Sequence, residues 1–241
     1  MSGKANIRDK KKERTKQHIL DAARKLFSKT SFHEVSVEEI ASEALVSRTT
    51  VYNHFEHKDV KSEIYFELGT RAFRMANQIT TDLYVNEKMG LSGLEQFLKL
   101  CEFTFGTVDK MPILFDILSE FYMRMNANDL GIEELHDKIA RSYETEEIST
   151  VKDLFEESYL INFYAEVQQT AFIWIQAVET GKKDGSIQNT MNSEQIVHFA
   201  NLTITGMVEQ MILRRKSLER VKLRKDLIIS NGLSLIKSFL L

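Results

Sequence analysis

The sequence predicts an all-α fold, on three observations. Apolar residues recur with helical spacing from residue 15 to the end. One Pro and ten Gly are too few turn residues for an all-β protein. No segment reads as a convincing strand, a repeat or a low-complexity tract. The 241 residues suffice for one large domain or two small ones, with a core that needs no staples. Hydrophobic and charged fractions of 43% and 28% are ordinary globular values and argue against disorder.

The elements follow in order. A first helix is expected over 15–29, with Ile19, Leu20, Ala23, Leu26 and Phe27 on one face, and it breaks at Thr30-Ser31. Ser36-Val37-Glu38-Glu39 matches a capping box that opens a short second helix, with Ile40 and Ala41 inward. Ser47 is a second N-cap, for a helix of barely two turns reaching His54, anchored by Val51 and Phe55. A long fourth helix is expected from Lys58 into the low eighties. Gly90 and Gly93 punctuate the chain before helices at 94–107 and 113–125, and Pro112 suits a first helical turn. The polar stretch 126–150 reads as a weak helix with loops. A long helix over 154–180 is expected to stop at Gly181-Lys-Lys-Asp-Gly185, and helices over 193–215 and 218–240 complete about nine.

Composition excludes several functions. Cys101 is the only cysteine, so an intrachain disulfide and a Cys-based zinc site are out, and it is read as a small core residue. No run approaches the ~20 apolar residues of a membrane span. The basic N-terminus has no apolar stretch behind it, unlike a secretory signal. A soluble, cytoplasmic protein is expected. The six His are scattered, and no phosphate loop, nucleophile elbow or metal-binding His spacing occurs. No enzymatic activity, cofactor or metal is therefore expected.

Charge is unevenly distributed. Residues 1–61 hold 13 Lys/Arg and 9 Asp/Glu, a net of +4, while the rest holds 19 and 26, a net of −7. A basic N-terminal piece suits a polyanion at one end only. A solvated tail would look the same by charge alone.

The motifs separate these readings. Two short helices joined by a tight turn, the second polar, form a helix-turn-helix pattern. Arg48, Thr49, Thr50, Tyr52, Asn53 and His54 supply that polarity. Guanidinium fits a guanine edge and a carboxamide fits adenine. A helix that only covered a core would more usually expose Lys and Glu.

The stretch 15–63 includes Ile19-Leu-Asp-Ala-Ala-Arg-Lys-Leu-Phe27, Val37-Glu-Glu-Ile-Ala41 and Val46-Ser-Arg-Thr-Thr-Val-Tyr-Asn-His-Phe55. It resembles the DNA-binding domain of tetracycline-repressor-type (TetR family) regulators. The resemblance implies base reading by Arg48, Thr49 and Asn53. It implies phosphate contacts by Thr50, Tyr52, His54 and Lys58, with Ser36 presenting a helix N-terminus to the backbone. Two positions depart from the family pattern: Leu45 stands in the turn, and Thr30-Ser31 ends the first helix, where Gly is common in both. A left-handed Leu45 would be strained by roughly 1 kcal/mol.

The expected organisation is a basic arm over 1–14, a helix-turn-helix domain over 15–62 and a C-terminal domain over 63–241, linked by the helix from about 58. In the arm, Lys11, Lys12 and Arg14 are candidates for minor-groove or phosphate contact. The aromatic-rich middle of the chain is read as ordinary core residue by residue, but collectively as an apolar cavity. The resemblance implies an effector pocket there. Its candidate lining is Phe66, Phe73, Phe97, Phe103, Phe115, Phe121, Tyr122, Phe163, Tyr164, Gln168 and Trp174, for an apolar or amphipathic ligand lying between Phe97 and Trp174. The last two helices are apolar on more than one side, which suits either a buried monomer core or a partner chain. The resemblance implies a two-fold dimer interface with Ile204, Met207, Met211, Leu227, Ile228, Leu235 and Phe239.

The leading expectation is a homodimeric, ligand-responsive repressor that binds double-stranded DNA at an inverted-repeat operator, with no membrane partner. The rival is an all-α adaptor whose helix-turn-helix only packs; an all-α enzyme using the aromatic cavity is a third reading.

Overall fold

In the computed structural model, residues 2–55, 57–87, 90–111, 113–127 and 158–241 are described. They contain ten helices and no strand. These are α1 (Ser2–Phe27), α2 (Val37–Glu43), α3 (Arg48–Tyr52), α4 (Val60–Glu87), α5 (Gly93–Lys110), α6 (Ile113–Ala127), α7 (Ser158–Asp184), α8 (Ser193–Leu213), α9 (Arg215–Arg220) and α10 (Lys225–Leu240). The expected all-α class is the observed one. Pro112 and, from residue 128, the stretch read as a weak helix lie outside the described residues.

Several boundaries differ from the sequence reading, each for a local reason. The basic stretch is not an arm outside the first helix, because α1 starts at Ser2. Its Ala, Lys, Glu and Arg are good helix formers, and Thr15 Oγ1 donates to the Lys11 carbonyl at 3.0 Å across the expected start. The α3 helix ends at Tyr52, with Asn53 as its C-cap, so His54 lies beyond it. α4 starts at Val60, with Asp59 accepting from Ser62 N at 3.1 Å, which leaves Lys58 in the preceding turn. The expected last helix is split in two. Lys222 takes φ +56°, Leu223 N donates to Leu218 O and Lys222 N to Glu219 O, which is the Schellman closure of α9.

The chain divides into two compact units, Met1–Ala72 with Ile117–Tyr164, and Phe73–Asp116 with Ala165–Leu241. The boundary expected at residue 62 falls within α4. In the first unit, Ile19, Leu20, Ala23, Ile40, Val51, Phe55 and Ile64 are buried, as the helix periodicity required. In the second, α5, α7, α8 and α10 contribute to one core around Phe97, Phe105, Trp174, Ile196, Ile204 and Ile236.

The second unit turns on a close crossing of α5 and α7. A Cβ built on Gly93 would lie 1.9 Å from the Gly181 backbone N, so no larger residue fits without a shift. α7 continues past Gly181 to Asp184, and its end caps α5. Asp184 Oδ2 accepts from Gly93 N at 2.8 Å, and Ser186 Oγ accepts from Leu94 N at 3.0 Å. Hydrogen bonds from the Ser186 side chain, then from the Gly93 and Ser186 N–H groups, hold the Asp184 carboxyl below the ordinary carboxylate range. The Gly-Lys-Lys-Asp-Gly-Ser motif is thus a cap for a distant helix as well as a break.

No membrane-length apolar stretch was expected, yet α8 meets that length and composition. Its apolar residues lie on two faces. Ile196, Val197, Ala200, Ile204 and Val208 are buried in the unit's own core, while Phe199, Leu202, Ile212 and Leu213 are exposed.

Candidate nucleic-acid interface

The turn between α2 and α3 is set by two hydrogen bonds. Leu45 N donates to Ser42 O at 3.1 Å and Val46 N to Ala41 O at 3.0 Å, with Leu45 at φ +55°. This Schellman closure needs a left-handed residue, and Leu there costs about 1–2 kcal/mol. Leu45 is 92% exposed, so no packing offsets that strain. The turn nevertheless brings Ser47 to cap α3, accepting from Thr50 N at 3.0 Å.

Val51 faces inward from α3 and is fully buried, which leaves Arg48, Thr49, Tyr52 and Asn53 exposed together. Arg48 is engaged on two sides. Its Nη1 is 2.7 Å from Glu38 Oε1, its Nη2 donates to Tyr52 OH at 3.2 Å, and its guanidinium stands 5.3 Å from the Tyr52 ring centroid. The Tyr52 hydroxyl first, then Glu38, raises the Arg48 pKa further. Sequence reasoning missed Glu38 as a partner, because it lies on α2 across the turn.

The remaining candidates divide by what they already touch. The Thr50 hydroxyl is 2.8 Å from Ser47 Oγ. The Ser36 cap forms as expected, but its hydroxyl and N–H both donate to Glu39 Oε2, at 2.7 and 2.8 Å. A carboxylate therefore already sits on the cap of α2, so Ser36 itself has no donor left for a phosphate. His54 is half-buried, and its Nδ1 makes no hydrogen bond. Burial, then the charges of Lys12 and Lys16, pull its pKa below the ordinary imidazole value. His54 is thus neutral near pH 7 and offers any phosphate a hydrogen bond, not a charge. Lys58 is exposed beside the capped start of α4. Lys11, Lys12 and Arg14 are exposed along α1.

Residues 19–60 match the family model described as bacterial regulatory proteins, tetR family. The match runs from α1 to the first residue of α4, so the helix-turn-helix domain is the part of the chain that the family model covers. Over 54 residues the chain is 46% identical to the HTH-type transcriptional regulator AcrR of Shigella flexneri, an alignment that spans 22% of this chain and 25% of that relative. The chain thus matches about a quarter of the length of its curated relative. Solved structures extend the likeness to nearly the whole chain. The transcriptional regulator FadR from Bacillus subtilis, solved in complex with stearoyl-CoA, superposes with a TM-score of 0.62 at 15% identity, covering 92% of this chain and 98% of its own. A TetR transcription regulator from Haloarcula marismortui gives 0.61 at 10% identity, covering 95% and 97%. At such identities the likeness shows the fold.

The aromatic candidates separate into two groups. Phe66, Phe121, Tyr122, Phe163 and Tyr164 belong to the first unit, where Phe121 stacks on Tyr164 at 5.6 Å and meets Phe163 edge-on at 5.2 Å. Phe66 packs against Phe163 at 5.5 Å. Phe73, Phe97, Phe103, Phe115, Gln168 and Trp174 belong to the second unit. There Phe97 and Trp174 meet edge to face at 5.4 Å, so the space expected to hold a ligand between them is filled by the rings themselves.

The interface candidates also need one correction. Ile204 is 0% exposed within its own unit and has no surface to offer a partner. Beside it, α8, α9 and α10 form an apolar groove of about 430 Å³, lined by Met207, Met211, Ile228 and Leu235 from the expected set. Leu218 and Leu223, the two residues tied by the Schellman closure of α9, line it too. Leu227 is exposed, and Phe239 stacks on Phe199 at 4.0 Å. Leu202, 73% exposed, lies on the second apolar face of α8.

Proposed function

We propose that this chain is a sequence-specific DNA-binding transcriptional repressor, acting as a cytoplasmic homodimer on an inverted-repeat operator. The observation that carries the reading is α3. Its outer face exposes Arg48, Thr49 and Asn53 on a helix held by a buried Val51 and an intact Ser47 cap, within a tetR-family domain. Arg48 and Thr49 reach base edges, with Asn53 at the helix end, while Tyr52 and Lys58 contact the backbone. The test is selection of duplexes from a random library, followed by titration. Arg48→Ala or Asn53→Ala should lose sequence preference while the fold survives. Lys58→Ala should weaken binding to all sequences and lower the log–log salt slope by about 0.9. A wild-type protein that selects no sequence would refute the reading.

The dimer reading rests on the α8–α10 groove, whose wall is apolar and open. A helix of under two turns reads few base pairs, and two-fold pairing doubles the contacts. Met211→Glu with Ile228→Glu should give a folded monomer on sedimentation. The effector reading rests on the ring cluster around Phe66, which sits on the same helix that Asp59 caps beside Lys58. A small apolar or amphipathic molecule that separates these rings shifts α4 and with it the phosphate contact. The acyl ligand carried by the Bacillus subtilis FadR structure makes long-chain acyl compounds the first to screen by thermal shift. Hits that leave operator affinity unchanged would show that the cluster is not a switch.

A further inference from the structure

We infer that the basic N-terminal stretch meets DNA as one face of a rigid helix laid along the phosphate backbone, and not as an extended arm inside the minor groove. This rests on the reading of the first unit as a DNA-binding unit. It differs from the sequence expectation because α1 is helical from Ser2 onward.

Geometry comes first. At about 100° per residue, Arg8, Lys11 and Lys12 lie within about 100° of arc on α1, and all three are exposed. Asp9 and Glu13 fall on another side of the helix, where Glu13 is engaged by Arg71 of α4 at 3.0 Å. The same Arg71 donates to Gln17 at 2.7 Å. One turn along, Lys16 Nζ stands 5.1 Å from the Phe55 ring centroid and 3.6 Å from Glu67. These contacts fix the rotation of α1 about its axis, so the basic face has one direction. The Phe55 contact also places the inner end of this face beside the segment that follows α3.

Size then decides the mode of contact. An α-helix with side chains is about 10–12 Å across, whereas the minor groove is about 6 Å wide. A helical arm cannot enter that groove. It can lie against the backbone, since Arg8 and Lys12 are about 6 Å apart along the axis and can each meet a separate phosphate. Such contacts carry charge but no sequence information.

The test compares the full-length wild type with the triple variant Arg8→Gln, Lys11→Gln, Lys12→Gln on a random-sequence duplex between about 50 and 200 mM salt. The expected result is a salt slope smaller by about 0.9 per lost contact, up to about 2.7 for three. The loss should be equal on A/T-rich and G/C-rich duplexes, and a minor-groove-binding drug should not displace the protein. A second variant, Asp9→Pro, adds net positive charge but breaks the helix after Arg8. It should bind more weakly than wild type. An unchanged slope in the triple variant, a loss confined to A/T-rich duplexes, displacement by the drug, or tighter binding by Asp9→Pro would each overturn the inference. A wild type that binds random duplex in this way yet selects no operator would refute the proposed regulator while leaving the helix-on-backbone contact standing.

Discussion

Glu38 is paired with the principal base-reading candidate, so Glu38→Gln should tighten DNA binding. In the free protein the Arg48 guanidinium lies 2.7 Å from the Glu38 carboxylate, and both side chains are more than half exposed at 61% and 56%. Such a pair contributes about 0.2–1 kcal/mol. Arg48 must loosen it to reach a guanine edge, and the carboxylate also repels nearby phosphates. Removing the pair therefore favours each half-site by about 1.4- to 5-fold. Two half-sites of a dimer give about 2- to 30-fold in Kd. The Tyr52 hydroxyl and ring continue to orient Arg48 in the variant. The assay is equilibrium titration of the selected duplex at fixed ionic strength, with Arg48→Gln and the double variant completing a cycle. The Glu38→Gln gain should shrink once Arg48 is absent. A variant that binds the selected duplex tenfold more weakly, with unchanged Tm, would refute this reasoning, because Glu38 would then be placing Arg48 for recognition.

Four further outcomes follow from the geometry. Leu45→Gly removes about 1–2 kcal/mol of left-handed strain and returns about 0.4–1 kcal/mol through the unfolded chain, so thermal unfolding should shift upward by up to about 6 °C; a fall would mean that Leu45 contributes packing. Gly93→Ala drives a Cβ to 1.9 Å from the Gly181 backbone, an overpacking that costs about 1–3 kcal/mol, and an unchanged Tm would contradict the close crossing. His54 has a folded pKa below its unfolded value, so its contribution is present above about pH 6.5 and lost as pH falls through the folded value; His54→Gln should flatten the decline in Tm between about pH 7.5 and 5.5. Burial pushes the Cys101 thiol far above its ordinary value, so thiol reagents at pH 8 should label it only on unfolding, and fast native labelling would disprove that.

What the sequence by itself determined was local. The capping box at Ser36 and the Ser47 cap are written within four residues, so they could be read directly and both formed. The inward Val51 and the exposed polar face of α3 follow from a 3.6-residue period alone. The family resemblance marked Leu45 as standing where glycine is common, and the structure gives it the left-handed conformation. Tertiary structure decided whatever depends on residues far apart in the chain. Period marks a residue as apolar without naming the face it packs on, so Ile204 and Met207, three positions apart, went to the core and to the groove respectively. It cannot assign aromatics to one layer or another, and the chain divided them between two units. Nor could it pair Arg48 with Glu38, or give Asp184 and Ser186 the task of capping a helix some ninety residues earlier. Those partners meet only after helices pack, because hydrogen bonds and close contacts act over a few ångströms in space and ignore separation along the chain.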